Sequence, residues 1–217
     1  MAPPTAQRSF HNTETEYHLQ NDAPEHARLE SQAAALADLM HNHVIHAPLR
    51  NPQRLLDVGC GTGAVTHPLS TTYPSASHIY GIDLSPVPAI RRPAPPLPFH
   101  TPNTEHIQGD IKQLATTDPR LRPNTFDFVF SRLLICGMTD WAAYIRDTAV
   151  PLLKPGVGWL EIQDLDYVFT KHGRVCSGDE EWAWMRAMER GARRKGLDLH
   201  CGSNAARYLR DAGLVDV

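Results

Sequence analysis

The sequence predicts an α/β fold, in which short apolar strands alternate with helical segments. An apolar run from Leu55 to Val58 leads directly into a turn with three glycines at alternate positions. Two later segments that are predicted as short strands end in an aspartate, Asp83 in the first and Asp110 in the second. A strand, a glycine turn and a helix in this order are typical of a nucleotide-binding cradle. At 217 residues the chain suits one such domain with an N-terminal extension.

The turn after the first strand carries Gly59, Gly61 and Gly63. Glycine has no Cβ, so the backbone can turn sharply here and its N–H groups can approach a ligand closely. The helix that follows offers an N-terminus that favours negative or acceptor groups. Because Gly59-x-Gly61-x-x-Ala64 also satisfies the dinucleotide pattern, the turn alone predicts a cofactor site without naming the cofactor.

Three acidic residues narrow the choice of cofactor. Asp57 lies two positions before the first glycine, Asp83 ends the run from His78, and Asp110 ends the run from Glu105. With Asp57 before the glycine turn and Asp83 and Asp110 after it, the series resembles the class I S-adenosylmethionine-dependent methyltransferases. The resemblance implies a Rossmann-like methyltransferase fold, with a mostly parallel sheet and helices on both faces.

The same resemblance implies a role for each matching residue. In the family the glycine turn, with Asp57 ahead of it, packs against the methionine part of the cofactor. Asp83 would accept both ribose hydroxyls, Asp110 would contact the adenine amino group, and Ile111 would pack on the adenine ring. An ionised carboxylate suits a cis-diol because it accepts two hydrogen bonds. The implied cofactor is S-adenosyl-L-methionine.

The N-terminal residues divide into a disordered stretch, 1–14, and a helical cover, 15–50. A helix from Pro24 to about His46 is predicted from apolar residues on one face, namely Leu29, Ala33, Leu36, Leu39, Met40 and Val44. The stretch from Tyr17 to Leu29 resembles the leader of the fungal LaeA-like, or TAM-domain, methyltransferases, which folds over the cofactor. On that resemblance Tyr17 and Asn21 are candidate cofactor contacts, although a docking helix without ligand contact explains each of them equally well.

Prolines shape the chain on either side of the second strand. The helix after the glycine turn is expected from about Gly63 to Thr72. Pro68 would bend this helix unless the helix begins late enough to place Pro68 in its first turn. The prolines between residues 86 and 98 predict an extended or mobile loop. A surface insertion explains that loop better than a PxxP partner site does.

The second half of the chain continues the resemblance to the LaeA-like proteins. Its matching segments are a Phe-Asp strand at 126–130, Arg132-Leu133-Leu134, Asp140-Trp141, Leu153-Lys154-Pro155-Gly156 and a Trp-Leu-Glu strand at 158–164. Val157 departs from the pattern because it splits the usual glycine pair. Further helices are predicted at 141–153, at 180–195 and from Ser203 or Asn204 to Ala212. Residues 51–217 would form the methyltransferase domain.

Composition and charge argue against several classes of function. The net charge is −3 and no long basic run is present, which disfavours a nucleic-acid partner. No apolar run approaches the length of a membrane span, and residues 1–10 lack the apolar core of a secretory signal. The four cysteines and twelve histidines are scattered, so neither a metal site nor a disulfide framework is expected. A reducing compartment, cytoplasmic or nuclear, is the expected location.

The implied reaction moves a methyl group from the cofactor to an acceptor, and it depends mainly on positioning and a dry site. Arg132 follows the fourth strand, where such folds open towards the acceptor, and it is a candidate cofactor contact, although packing against a helix explains it slightly better. His172 and the tryptophans at 182 and 184 are candidates for the acceptor side, although loop and core roles are simpler explanations. The catalytic base, if there is one, stays unknown.

Two alternatives to a methyltransferase acting on a small molecule of fungal secondary metabolism stay open. An NAD-dependent oxidoreductase is disfavoured by Asp57, by the third alternate glycine and by Asp110. A regulator that binds the cofactor without turnover is compatible with the same residues, because LaeA-like proteins include regulators of secondary metabolism that act through protein partners.

The last residues, from Ala212 to Val217, are expected to turn into a sixth strand where the sequence stops. On the family pattern the C-terminal strands would be truncated. The fifth strand, from about Gly158 to Asp164, would then keep an unpaired edge. Because an open edge tends to pair with another chain, this pattern predicts self-association through the fifth strand.

Overall fold

The structure is a computed structural model of the chain, and it describes residues 20–90, 103–176 and 183–217. The predictions for residues 1–14, for Tyr17, for the prolines beyond residue 90 and for Trp182 lie outside the described residues. The chain divides into two compact units, one within 1–130 and 152–161, the other within 131–151 and 162–217. The predicted boundaries after residues 14 and 50 stay predictions.

Five strands form the main sheet: β1 Arg54–Val58, β2 His78–Asp83, β3 Thr104–Gln108, β4 Phe128–Arg132 and β5 Trp159–Gln163. They form one parallel sheet in the order β3-β2-β1-β4-β5, which confirms the predicted Rossmann-like α/β fold. The strand order reverses beside β1. In sheets of this kind, ligands bind beyond the carboxyl ends of the strands at such a reversal.

Three helices belong to the first unit: α1 Ala23–Leu39, α2 Thr66–Thr72 and α3 Ile111–Thr117. The Asp22 side chain caps α1 by accepting a hydrogen bond from the Glu25 N–H. Because α2 begins at Thr66, Pro68 lies in its first turn, where no intrahelical donor is needed. Of the two outcomes expected for Pro68, the structure therefore shows the late-starting helix.

The core of the first unit lies between the sheet and α2. Leu55 and Ile79 are fully buried there with Phe128, and Leu69 packs on them from α2. Burial of this apolar surface is the main stabilising contribution to the sheet. Partly buried side chains cover this cluster from the segment before β1, namely Val44, Ile45, Ala47 and Leu49.

Helix α1 ends earlier than predicted. It stops at Leu39 because His41 and Asn42 take left-handed backbone angles, with φ of 51° and 63°, that end the helix. Val44 therefore packs on the core from a non-helical segment and not from the face of α1. Leu39, which was expected on that apolar face, is 75% exposed.

The second unit contains a helical run interrupted by a π-helix: α4 Trp141–Ala143, the π-helix Tyr144–Ala149 and α5 Val150–Leu152. The run matches the helix predicted at 141–153. Pro151 lies within α5, two residues after the end of the π-helix, and it has no N–H to donate to the preceding turn.

The rest of the second unit consists of a hairpin, β6 Thr170–Lys171 and β7 Arg174–Val175, and two helices, α6 Ala183–Arg194 and α7 Cys201–Asp211. The hairpin was not predicted, and exposed His172 lies in its turn. α7 begins two residues before Ser203. Residues 214–217 form no strand.

Strand β4 begins at Phe128 and not at Phe126. Phe126 instead forms an isolated bridge with Leu153. The Asp127 side chain accepts hydrogen bonds from the backbone N–H groups of Gln53 and Arg54, at 2.8 and 2.9 Å. The Asp127 side chain therefore holds the residue before β4 against the start of β1 through hydrogen bonds.

Candidate functional site

The glycine turn adopts a conformation that side chains rarely permit. Gly59, Gly61 and Gly63 have φ values of 68°, 55° and 77°, all in the left-handed region. The N–H groups of Gly59 and Cys60 donate to the carbonyl of Ile82, at 2.8 and 2.9 Å. These bonds attach the turn to the end of β2, so the turn is a defined structure at the carboxyl edge of the sheet.

Asp57 supports the glycine turn through a buried hydrogen bond. Its carboxylate is 2% exposed and accepts a hydrogen bond from the Thr66 hydroxyl at 2.6 Å. Asp57 is the second-last residue of β1 and Thr66 is the first residue of α2. This hydrogen bond therefore joins the strand to the helix across the glycine turn. A ligand that enters the cradle has little access to Asp57 itself.

Asp83 links the end of β2 to the glycine turn. Its Oδ2 accepts a hydrogen bond from the Gly61 N–H at 2.8 Å, and its Oδ1 accepts one from the Ser85 N–H at 2.9 Å. The residue is half-buried. A carboxylate offers about four lone-pair sites. These two bonds thus leave acceptor capacity on each oxygen, as a bound cis-diol would require.

Asp110 and Ile111 lie at the end of the neighbouring strand. The Gly109 N–H donates to the Asp83 carbonyl at 2.8 Å, which holds the ends of β2 and β3 together. Asp110 Oδ1 caps α3 by accepting from the Lys112 N–H at 2.9 Å. Ile111 is 7% exposed. The structure therefore brings Asp83 and Asp110 to the same edge of the sheet.

Helix α1 packs on the glycine turn. The hydroxyl of Thr62, a residue that is 2% exposed, donates a hydrogen bond to the Glu30 carboxylate. The Leu29 side chain lies 3.7 Å from the position that a Cβ would take on Gly61. Sequence reasoning missed the pairing of Glu30 with Thr62, because no local pattern relates residues this far apart in the chain.

The remaining predicted contacts are placed as follows. Asn21 lies just before α1, and its Oδ1 is 2.7 Å from Nε2 of His26. Arg132 is the last residue of β4, half-buried, and belongs to the second unit. Neither placement tests a contact with a cofactor, so both roles stay predictions.

A close-packed cluster lies beneath the turn. A Cβ on Gly81, in the middle of β2, would come within 2.8 Å of the His106 ring, 2.9 Å of the Thr66 hydroxyl and 3.0 Å of the Cys60 sulfur. A glycine inside a strand is a signal for such a close approach, which sequence reasoning did not use here. Burial raises the pKa of the Cys60 thiol well above its ordinary value, and the charges of Asp57 and Asp83 add to the shift. A protonated, buried thiol is a poor nucleophile, so Cys60 serves here as a small packed side chain.

A cavity with a volume of about 400 Å³ lies within the second unit. It is lined by Thr139, Asp140, Trp141, Ala142, Arg193, Gly196, Leu197, Asp198 and Tyr208. The Tyr208 hydroxyl donates to Asp198 at 2.8 Å. Burial and this carboxylate together raise the pKa of Tyr208, so the hydroxyl remains protonated at neutral pH.

No cluster of three or more potential metal ligands occurs among the described residues. None of the helices in the described ranges is long and apolar enough to cross a bilayer.

A protein family described as "Methyltransferase domain" matches residues 25–217. The chain belongs to this methyltransferase-domain family. The matched range contains α1 from Glu25 onward, the glycine turn and both aspartates at the carboxyl edge of the sheet. The glycine turn and the aspartates described above are therefore parts of a methyltransferase domain.

Curated relatives of this methyltransferase-domain chain include fungal proteins. Methyltransferase str2 of Strobilurus tenacellus is 27% identical over 196 residues, which cover 90% of this chain and 66% of str2. The secondary metabolism regulator laeA of Monascus pilosus is 23% identical over 180 residues, which cover 80% of this chain and 44% of laeA. The chain thus spans about half to two thirds of the length of these relatives.

Two solved structures share the fold of this methyltransferase domain. A SAM-dependent methyltransferase from Aquifex aeolicus aligns with a TM-score of 0.52 at 17% identity, covering 89% of this chain and 88% of that one. Phosphoethanolamine N-methyltransferase 2 of Haemonchus contortus, in complex with S-adenosyl-L-methionine, aligns with a TM-score of 0.52 at 18% identity, covering 86% and 37%.

Proposed function

We propose that the protein is an S-adenosyl-L-methionine-dependent methyltransferase that acts on a small molecule. The observation that carries this proposal is the Asp83 carboxylate, which holds the Gly61 N–H and keeps acceptor capacity at the carboxyl edge of the sheet. A binder of a ribose-containing cofactor needs such a group beside a glycine turn. The family match and the methyltransferase names of the relatives support the same function.

The residues of the first unit fit the proposed cofactor. Asp83 would accept the ribose hydroxyls, and Asp110 would accept a hydrogen bond from the adenine amino group beside Ile111. The turn from Gly59 to Gly63 presents backbone close to the ligand without side chains in the way. When bound, S-adenosyl-L-methionine supplies an electrophilic methyl group. The part of these residues is to bind and orient the cofactor, since positioning accounts for much of the rate in such transfers.

Titration calorimetry with S-adenosyl-L-methionine and with NAD tests the cofactor directly. We expect binding of the first and none of the second, because the acidic residues follow the methyltransferase pattern. Binding of NAD alone would contradict the proposal. Incubation with methyl-labelled S-adenosyl-L-methionine and a fungal cell extract then tests the acceptor, and label in extractable small molecules is the expected result. Label in protein or nucleic acid would contradict the small-molecule assignment.

The cytoplasm or the nucleus is the proposed location.

A second candidate function is a regulator that binds the cofactor without a small-molecule acceptor. The observation that favours it is the similarity to proteins named as secondary metabolism regulators, laeA of Monascus pilosus and laeA of Aspergillus niger. Such a protein would bind S-adenosyl-L-methionine in calorimetry but would leave the small-molecule fraction of the extract unlabelled. The same two measurements therefore separate the two candidates.

A further inference from the structure

The buried hydroxyl of Thr62 identifies a contact that the proposed function does not use. Thr62 lies between Gly61 and Gly63 at the centre of the glycine turn and is 2% exposed. A hydroxyl buried in this way needs a hydrogen-bond partner, because an unpaired one costs free energy. The partner is the carboxylate of Glu30 on α1, 32 residues away in the chain. A hydrogen bond to a charged acceptor is stronger than one between neutral groups.

This contact restrains the turn from α1, in addition to the bonds that hold it to the sheet. The sheet side is held by the bond from the Gly61 N–H to Asp83 and by the bonds from Gly59 and Cys60 to the Ile82 carbonyl. Glu30 adds a restraint from α1, and Leu29 reinforces it by packing over Gly61. The hydrogen bond between Thr62 and Glu30 therefore links the conformation of the turn to the docking of α1.

We propose that Glu30 is a positioning residue that couples binding of the cofactor to docking of α1. The inference rests on the proposed function, since it requires that the cofactor contact the backbone around Thr62. If docked α1 holds the turn in the binding conformation, a bound cofactor must hold α1 with the same coupling free energy, because linkage is reciprocal. Glu30 acts through Thr62 and does not touch the reacting atoms.

Two truncations and their combination test the coupling. Glu30→Ala removes the acceptor, and Thr62→Val removes the donor with little change in shape. Each should raise the dissociation constant of S-adenosyl-L-methionine by roughly 10- to 150-fold, the range expected for one hydrogen bond to a charged group. The double variant should bind about as weakly as either single variant, because both remove the same bond. The proposal would be overturned if the dissociation constant of the double variant rose by the product of the two single-variant factors.

Conservative variants separate positioning from a general loss of structure. Glu30→Gln and Thr62→Ser each keep a hydrogen-bonding oxygen, so they should bind the cofactor within about threefold of the unchanged protein. Asp38→Ala removes an exposed acid from the same helix and should leave the dissociation constant unchanged. A Glu30→Ala variant that binds as tightly as the Asp38→Ala control would overturn the proposal.

Hydrogen exchange supplies a measurement that a purely structural role would not change. In the unchanged protein, S-adenosyl-L-methionine should slow exchange of the amides of α1, and Glu30→Ala should abolish this slowing even at saturating cofactor. Slowing that persists in the saturated variant would contradict the coupling. If the unchanged protein binds no S-adenosyl-L-methionine in calorimetry, the proposed function fails first, which distinguishes that failure from failure of the coupling.

Discussion

The Asp83 carboxylate combines a structural and a ligand-binding role in one side chain. Asp83→Ala removes the acceptor for the Gly61 and Ser85 N–H groups and the proposed acceptor for the ribose hydroxyls. We expect cofactor affinity to fall by about 1–3 kcal/mol, the scale for losing hydrogen bonds to a charged group. Calorimetric titration measures this loss. Asp83→Asn keeps one acceptor oxygen and should lose less, and an alanine variant with unchanged affinity would remove Asp83 from the site.

Asp127, which lies at the amino ends of the strands, makes the free energy of unfolding depend on pH. Burial alone would raise the pKa of this carboxyl, but the Lys154 ammonium, at 2.6 Å, and the N–H groups of Gln53 and Arg54 hold the pKa below its ordinary value. A depressed pKa contributes stability above the unfolded pKa of about 3.9, and that stability is lost as pH falls through the folded value.

Asp127→Asn should therefore be less stable than the unchanged protein by about 1–2 kcal/mol at pH ~7, with the gap closing as the pH falls below the unfolded pKa of about 3.9. Urea unfolding at neutral and at acid pH measures the difference. Asp147→Asn is the matched control, because Asp147 also pairs with a basic side chain, that of Arg146, but both of these side chains are largely exposed. A gap that stays constant with pH would show that the charge of Asp127 does not stabilise the fold.

At the scale of elements, Glu161 of β5 holds the segment that leads from α1 to β1. Its two oxygens accept hydrogen bonds from the N–H groups of His46 and Ala47, at 2.9 to 3.0 Å. Glu161→Ala should lower the unfolding free energy by about 1–2 kcal/mol and speed hydrogen exchange at these two amides. Glu161→Gln keeps one acceptor oxygen, so its unfolding free energy should lie between those of Glu161→Ala and the unchanged protein. Unchanged protection of both amides would show that the packing of Ile45 and Leu49 alone holds the segment.

The same segment shows where sequence reasoning stopped. β2 was predicted with its observed bounds, because His78–Asp83 is an apolar run that ends in an acid. The end of α1 at His41 and Asn42 was missed, and so was the non-helical segment after it, whose N–H groups at His46 and Ala47 donate to a carboxylate more than a hundred residues later. The turn glycines and both edge aspartates were predicted from local pattern, whereas Glu30 and His106 join the site through tertiary contacts.

At the scale of the whole molecule, the described sheet has an open edge. β5 is last in the strand order, and no strand in the described ranges pairs with its outer side. The N–H of Trp159 and the carbonyl of Gln163 bond inward, to Asp127 and Leu133. Because hydrogen-bonding directions alternate along a strand, the N–H groups of Leu160 and Ile162 point outward. Outward groups of this kind can pair with a second copy of the chain, and we propose self-association through them.

Proline at one outward position tests this proposal without breaking the inward ladder. Ile162→Pro removes an outward N–H, and proline is tolerated on edge strands where that group faces solvent. Light scattering should show the unchanged chain as a concentration-dependent dimer at about 10–100 μM, the range of a weak interface, and Ile162→Pro as a monomer with a similar melting temperature. Ile162→Ala trims the same side chain but keeps the N–H, so it should still dimerise. An unchanged chain that stays monomeric, or a proline variant that associates equally well, would show that β5 does not mediate self-association.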